Sequence, residues 1–591
     1  MNMKRALYHQ MTVCIVSIFM LAGCASTEKQ SSLDLEFQQL ANQIWHYELK
    51  HDPMIANPSD NTRLDQLTDL SQRAYEIRHD AYTQFAKQLN QISVKKLSHE
   101  HQINYSVIQH RLQNNIDLFQ YMLYLLPMNA SADRIGSLAF LPNQHTFKTK
   151  QDYLDYQTRL AAIPKLLQQQ QALFEHGLSI GMTQPRITIK DYVTRLRSTF
   201  IKPVKDNPLY QPFVSLPPSW SSSEVKAAKE KAESMLQTQV QPAFKCFIHF
   251  MEKTYQPKTR TMIGAHALPQ GRELYANRIS HYSTLNHTAD DIHHIGLSEV
   301  KRIREEMHEI IRMSDFQGNF KSFLKHLRTH PKFYARTKLD LIKQASYLAK
   351  KMDASLPKFF KNLPRRPYGV APVPDEIAPS YTTGRYIPPS RNDQPGYYWV
   401  NTSKLKERPL YVLEALTLHE AVPGHHLQIS LAAELEHVPE YRRRTYLSAF
   451  GEGWGLYSEW LGKEAGFYQD PYSEFGRLSY EMWRACRLVV DTGIHAKGWS
   501  RQQAIDFIAE NSALSMHNIR IEVDRYIVWP GQAVSYKLGE MTIKSLREKA
   551  QQQLGLRFDI REFHDVILRN GSVPLPVLEQ EVTRYIQQNT I

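Results

Sequence analysis

Apolar residues return every three or four positions through most of this chain, and that period specifies helices. Phe37, Leu40, Ile44 and Tyr47 form one such stripe, and others run through 75–89, 103–125, 153–176 and 222–253. Pro-rich breaks at 211–218 and 255–261 read as loops. Thr288-Ala-Asp-Asp291 opens a further helix with a box-like cap, the hydroxyl accepting a backbone N–H. The texture changes between Leu268 and Asn401. There Leu268-Pro-Gln-Gly271 and the Pro-, Gly- and Tyr-rich stretch 365–401 read as irregular or short-strand structure. From Pro409 onward the pattern is helical again, interrupted at Pro530-Gly531. The expected fold is mainly α, a large helical body with a small irregular or β insert.

Composition narrows the function. With 42% hydrophobic and 22% charged residues the chain is globular, which excludes a disordered, collagen-like or multi-pass membrane protein. Its four cysteines, Cys14, Cys24, Cys246 and Cys486, show no C-x-x-C spacing, so a thiolate zinc site and a disulfide scaffold are both excluded. Any metal must be held by histidines and carboxylates. The net charge of +13 is spread along the sequence and reads as a basic solvated surface. No nucleic-acid signature accompanies it, so nucleic acid is not an expected partner.

Lys4 and Arg5 precede an apolar run from Met11 to Leu21, followed by Ala22-Gly23-Cys24. A positive start, a short apolar stretch and small residues make a secretory signal, too short to span a membrane comfortably. Leu21-Ala22-Gly23-Cys24 resembles the lipobox of bacterial lipoproteins. That resemblance implies cleavage after residue 23 and lipids on Cys24, holding the protein on a membrane of the cell envelope. Ala25 and Ser26 lack the aspartate that in enterobacteria retains lipoproteins in the inner membrane, which favours the outer one.

The segment richest in chemistry is Leu418-His419-Glu420-Ala-Val-Pro423-Gly424-His425-His426. Pro409 suits the start of a helix, and Val412, Leu416 and His419 then share its apolar side. An imidazole can bind zinc there, while the adjacent Glu420 takes a proton from zinc-activated water. In the ordinary H-E-x-x-H helix the second ligand lies four residues on. Here that position is Pro423, which removes the N–H that would bond back to His419, so the helix should kink or break. A distorted turn brings His425 back to the metal. His426 would lie roughly 10 Å along an undistorted axis, and it stays a rival ligand or substrate-facing donor. Gly451-Glu452-Gly453-Trp454-Gly455 offers the third ligand, Glu452, on a helix whose glycines cost about 2–3 kcal/mol of propensity, a cost that close approach to the metal helix would explain. Glu459, two turns on, can orient a ligand from behind. The pair His293-His294 reads as structural.

These residues resemble the bacterial domain-of-unknown-function family 885, whose members carry H-E-x-x-P-G-H-H and then E-G-W-x-L-Y. The likeness extends through Pro395-Gly396-Tyr-Tyr-Trp-Val-Asn401, Asp491-Thr-Gly-Ile-His495 and 525–539. Gly455 stands where members often have alanine. The family's kinship with gluzincin metallopeptidases implies a helical body with a deep central cleft. It also implies one zinc per chain on His419, His425 and Glu452, with Glu420 as general base. The oxyanion then needs a donor, for which His495, Tyr526 and Tyr536 are candidates, and Asp491 would fix the His495 tautomer. Arg487 and Arg525 read as salt-bridge partners before carboxylate receivers. The expectation is a zinc metallopeptidase acting on short peptides. An amidase for cell-wall peptides and a non-catalytic tethered binding or assembly lipoprotein are the alternatives. The chain divides into a signal peptide over 1–23, a helical region over 24–267 and a metal-binding catalytic region over 268–591.

Overall fold

The computed structural model describes residues 32–57, 60, 62–128, 133–375, 377–389 and 394–590. The expected signal segment and Cys24 lie outside them. Helix α1 (Lys150–Ile180) shows how directly local chemistry sets the elements. Thr149 and Asp152 cap each other at its start, and Gly181, at φ 77°, ends it in the left-handed region. Helix α2 (Ala289–Met313) opens with the expected box: Thr288 Oγ1 accepts from the Asp291 N–H at 3.1 Å, and Asp291 Oδ2 accepts from the Thr288 N–H at 2.9 Å.

The expected β insert is a three-stranded sheet, with β1 (Tyr368–Pro372), β2 (Gly384–Ile387) and β3 (Gly396–Val400) in the order β1-β3-β2. β1 runs parallel to β3, with Tyr368 opposite Gly396, and β2 runs antiparallel, with Tyr386 opposite Tyr398. The sheet leans on α3 (Leu413–Glu420), where the Tyr398 hydroxyl meets Thr417 Oγ1 at 3.4 Å. Pro409 does not itself begin α3; it precedes a 3-10 turn, Leu410–Val412, that tightens into the helix. After α3 come α4 (His425–Ala433), α5 (Ser448–Leu461), α6 (Pro471–His495), α7 (Met516–Val528) and α8 (Ser535–Leu554). The mainly helical body is thus the observed architecture. No helix among the described residues is long and apolar enough to cross a membrane.

Helix α6 is the axis of the molecule, buried from Phe475 through His495 without interruption. Yet it carries Arg477, Glu481, Arg484, Arg487, Asp491 and His495 at three- and four-residue spacing, one polar stripe inside the protein. Buried charges are tolerated only when paired. Glu481 accordingly accepts from Lys537 Nζ of α8 at 2.8 Å and from Arg302 of α2 at 2.5 Å, joining three helices. Apolar packing completes the joint, since Leu488 of α6 and Leu538 of α8 belong to the same core as Tyr156, Leu160 and Phe174 of α1.

Candidate metal centre

Helix α3 ends where the sequence requires. Beyond Glu420 the backbone turns through Ala421–Gly424, the Gly424 N–H bonds to Leu418 O at 3.0 Å, and α4 restarts at His425. This short turn returns His425 towards His419: their rings lie 4.7 Å apart and nearly perpendicular, at 89°. Glu452 of α5 completes the group. Its Oε2 is 3.5 Å from His419 Nε2 and 3.3 Å from His425 Nε2, and all three donor atoms lie within 4.8 Å of one another.

That spacing fits zinc. Ligand bonds of about 2.0–2.2 Å in a tetrahedron place neighbouring donors roughly 3.4 Å apart. Two imidazoles and one carboxylate are also the donors that zinc takes in hydrolytic sites, with a fourth position left open. Electrostatics agree with a place for a cation. Burial pushes the His419 pKa down, but Glu452 and Glu459 outweigh it and lift the value to about 10. Burial pushes Glu452 up, and the two histidines reverse this and hold it well below the usual carboxylate range. Without metal the group holds protons that a divalent cation can displace.

Behind the cluster, His419 Nδ1 lies 2.7 Å from Glu459 Oε1, a bond that keeps a proton on Nδ1, so that the proton a cation displaces is the one on Nε2. Arg484 of the α6 stripe braces the same oxygen at 3.0 Å. Glu420, at the end of α3, accepts the Tyr386 N–H of β2 at 2.7 Å, so one carboxylate oxygen is fixed by the sheet. Glycines make the helix contacts possible. A Cβ on Gly455 would stand 2.6 Å from His419 Cε1, and one on Gly453 would stand 2.5 Å from the Gly539 carbonyl carbon of α8. Family members often carry alanine at position 455, so the ring can yield to one methyl; we expect the larger Gly455→Leu to push the His419 ring off its position, lowering zinc affinity at least about tenfold and stability by about 1–3 kcal/mol. A competitive zinc titration beside a thermal melt measures both; unaltered affinity would mean that the ring is not held by this contact.

Several expected residues stand elsewhere. His426 turns away from the cluster: its Nδ1 meets the Tyr386 hydroxyl at 3.0 Å, its ring packs on Tyr368, and burial lowers its pKa to about 4. His495 is no oxyanion donor. Its Nδ1 accepts the Ala265 N–H at 3.0 Å and its Nε2 donates to Tyr526 O at 2.9 Å, so neither nitrogen is free. Asp491 does not fix that ring either, because its Oδ1 takes the Tyr275 hydroxyl at 2.6 Å and the Gly531 N–H at 3.1 Å. The buried Tyr526 hydroxyl is occupied by Trp483 Nε1 and Arg487 Nε, at 2.8 and 2.9 Å. Arg487 and Arg525 form the expected ion pairs, both with Glu522. His293 is structural as expected, 2.7 Å from Thr492 Oγ1.

The buried His495 has a consequence for stability. Burial holds its pKa at about 3, so below the ordinary value near 6.5 the unfolded imidazole takes a proton that the folded one refuses. This contribution is present above pH 6.5 and lost as pH falls towards 3. Asp491, raised by burial to about 7, works in the opposite sense. His495→Gln should accordingly show a shallower fall of melting temperature between pH 7 and 5 than the parent; an identical slope would refute the assignment.

Two residues near the site, Tyr446 and Arg385, carry no motif, and they stand with Tyr536, which the sequence did single out. Tyr446 has its ring 6.3 Å from that of His425 and is 46% exposed. Desolvation of its hydroxyl, and then the Glu452 charge it approaches, raise its pKa well above the usual range, so it keeps its proton. Arg385 of β2 is likewise exposed, within electrostatic reach of Glu420 and Glu452. Tyr536 accepts from Arg525 Nη2 at 3.0 Å.

A family model described as a bacterial protein of unknown function, DUF885, matches residues 56–582. A crystal structure of a candidate lipoprotein from Colwellia psychrerythraea is 27% identical, with a TM-score of 0.84 over 95% of this chain and 99% of that one. A candidate lipoprotein of unknown function from Shewanella oneidensis shares the fold at 18% identity, with a TM-score of 0.72 over 92% and 99% of the two chains. PZ peptidase A with an inhibitor overlaps at 11% identity and a TM-score of 0.34, over 86% of this chain and 93% of that one, too slight a likeness to carry an argument. No curated protein matches the chain.

Proposed function

We propose that this chain, which belongs to the DUF885 family of bacterial proteins, is a zinc-dependent hydrolase cleaving amide bonds of short peptides in the cell envelope, tethered through a lipidated Cys24. The observation that carries the reading is the convergence of His419, His425 and Glu452 within 4.8 Å, beside an oriented Glu420. Zinc bound there supplies a Lewis acid for the scissile carbonyl and lowers the pKa of water from about 15.7 towards 7.

The chain's own residues do the rest. His419 and His425 present Nε2, and the Glu459–Arg484 pair keeps His419 in the tautomer that leaves this nitrogen free. Glu420 takes the proton of the attacking water as its oxygen adds to the carbonyl carbon. The same carboxyl then passes that proton to the departing nitrogen, so the C–N bond breaks to an acid and an amine. The Tyr386 N–H keeps the Glu420 carboxylate aimed through this transfer. Tyr446 and Tyr536 replace His495 and Tyr526 as donors for the developing oxyanion, since Tyr446 stands beside His425 with its proton retained.

Metal analysis of the purified chain, followed by a peptide-cleavage screen with and without chelator, tests the reading. About one zinc per chain and chelator-sensitive cleavage are expected; a chain without metal, or cleavage indifferent to chelator, contradicts it.

A further inference from the structure

The net charge of +13 is not spread evenly along the chain as expected. Residues 320–366 hold thirteen lysines and arginines against two aspartates and no glutamate, a net charge of +11, and the rest of the chain carries only +2. Four acids from other elements reach into this stretch. Asp375 pairs with Lys338 at 2.8 Å, Glu562 with Lys361 at 2.6 Å, and Glu434 and Glu436 with Arg365 at 3.4 and 3.6 Å. Counting all four against the eleven still leaves seven positive charges in excess, and pairs this exposed neutralise weakly. Lys321, Lys325, Arg336, Lys343 and Lys358 are exposed and form no ion pair among the described residues.

The helix Lys338–Asp353 shows what such a face can meet. One side buries Leu341, Ala345, Leu348 and Met352, which join the core that holds Leu413 and Leu416 of α3. The opposite side carries Leu339, Lys343, Tyr347 and Lys350 at spacings of four, four and three, one stripe roughly 16 Å long. All four are exposed, Leu339 at 60% and Tyr347 at 67%. Large apolar side chains standing in water between lysines are what a helix presents when it lies in the headgroup layer of a bilayer. There the ammonium groups meet lipid phosphates and the apolar side chains reach the acyl boundary. A soluble polyanion would satisfy the lysines and leave Leu339 and Tyr347 in water; a lipid surface engages both. Cys24, the proposed anchor, precedes the first described residue by eight positions, no more than roughly 29 Å of chain, so the body stays beside a membrane.

We infer that residues 320–366 form a membrane-docking face, with the exposed stripe of the Lys338–Asp353 helix lying on anionic phospholipid headgroups. The choice of a bilayer draws on the proposed anchor, and the hydrolase reading plays no part in it. A body held through one lipidated residue swings freely, whereas this second contact fixes which of its sides faces the membrane.

The test is flotation of the Cys24→Ser chain with vesicles of phosphatidylcholine, alone or with about 30 mol% phosphatidylglycerol, in about 50 and 300 mM salt. Every variant carries Cys24→Ser, so no acyl chain contributes to binding, and mass spectrometry of the wild-type chain reads acylation separately. Partitioning onto the anionic vesicles at low salt is expected, at least about tenfold weaker on neutral vesicles or at high salt. Lys343→Gln with Lys350→Gln should weaken it at least about tenfold, since each lysine near an anionic surface contributes about a factor of five. Leu339→Ser with Tyr347→Ser should also weaken it about tenfold or more. Melting temperature should be unchanged in both double variants, because none of the four side chains is buried. Equal binding to neutral vesicles, or anionic binding retained in the lysine variant, overturns the inference. Loss in the lysine variant with the Leu339 and Tyr347 variant unaffected also overturns it, and makes the face a seat for a soluble acidic partner instead.

Discussion

Glu420→Gln should leave about one zinc per chain and lower peptide turnover by roughly 10³-fold, within the span that a positioned acid–base group contributes. Glutamine preserves the shape of the side chain, and its amide oxygen can still accept the Tyr386 N–H that lies 2.7 Å from Glu420 Oε2. What it loses is the capacity to hold a proton between the attacking water and the leaving nitrogen. Glu420 is not one of the three grouped donors, so zinc content should be untouched. Single-turnover kinetics with metal analysis on the same preparation separates the two effects. Unchanged turnover would remove Glu420 from the chemistry, and lost zinc would make it a ligand.

The second large effect concerns the adjacent histidines. His425→Ala should lower zinc affinity more than about 100-fold, beyond the 10–100-fold typical of residues that only support a ligand, because it removes a donor 3.3 Å from Glu452 Oε2. His426→Ala should keep its zinc, since that ring is engaged by Tyr386 and Tyr368 instead. Equilibrium zinc competition on both variants decides the matter. Loss confined to the His426 variant would mean that the turn at Ala421–Gly424 rearranges when metal enters.

Much of this was legible in the sequence because its signals are local. Pro423, four residues after His419, forbids a continued helix, and the observed break delivers His425 as that argument requires. Three glycines around Glu452 announced a close approach, and Gly455 indeed faces the His419 ring. The misplaced donors share one cause. Asp491 and His495 have the four-residue spacing of a contacting pair, but each is claimed by another element, Asp491 by Tyr275 and Gly531 and His495 by Ala265 and Tyr526, so spacing along the helix did not choose the partner. Arg385 and Tyr446 carry no pattern, since only the folding of β2 and of the turn before α5 brings them near Glu420 and His425. Arg484 did leave a trace: a polar stripe every three or four residues within an apolar helix implies buried partners, and Glu459 is one of them.

The most direct test is anomalous scattering at the zinc edge from crystals of the zinc-loaded chain. One peak is expected, about 2.0–2.2 Å from His419 Nε2, His425 Nε2 and a Glu452 carboxylate oxygen. A peak ligated by His426, or no peak between α3, α4 and α5, would contradict the account.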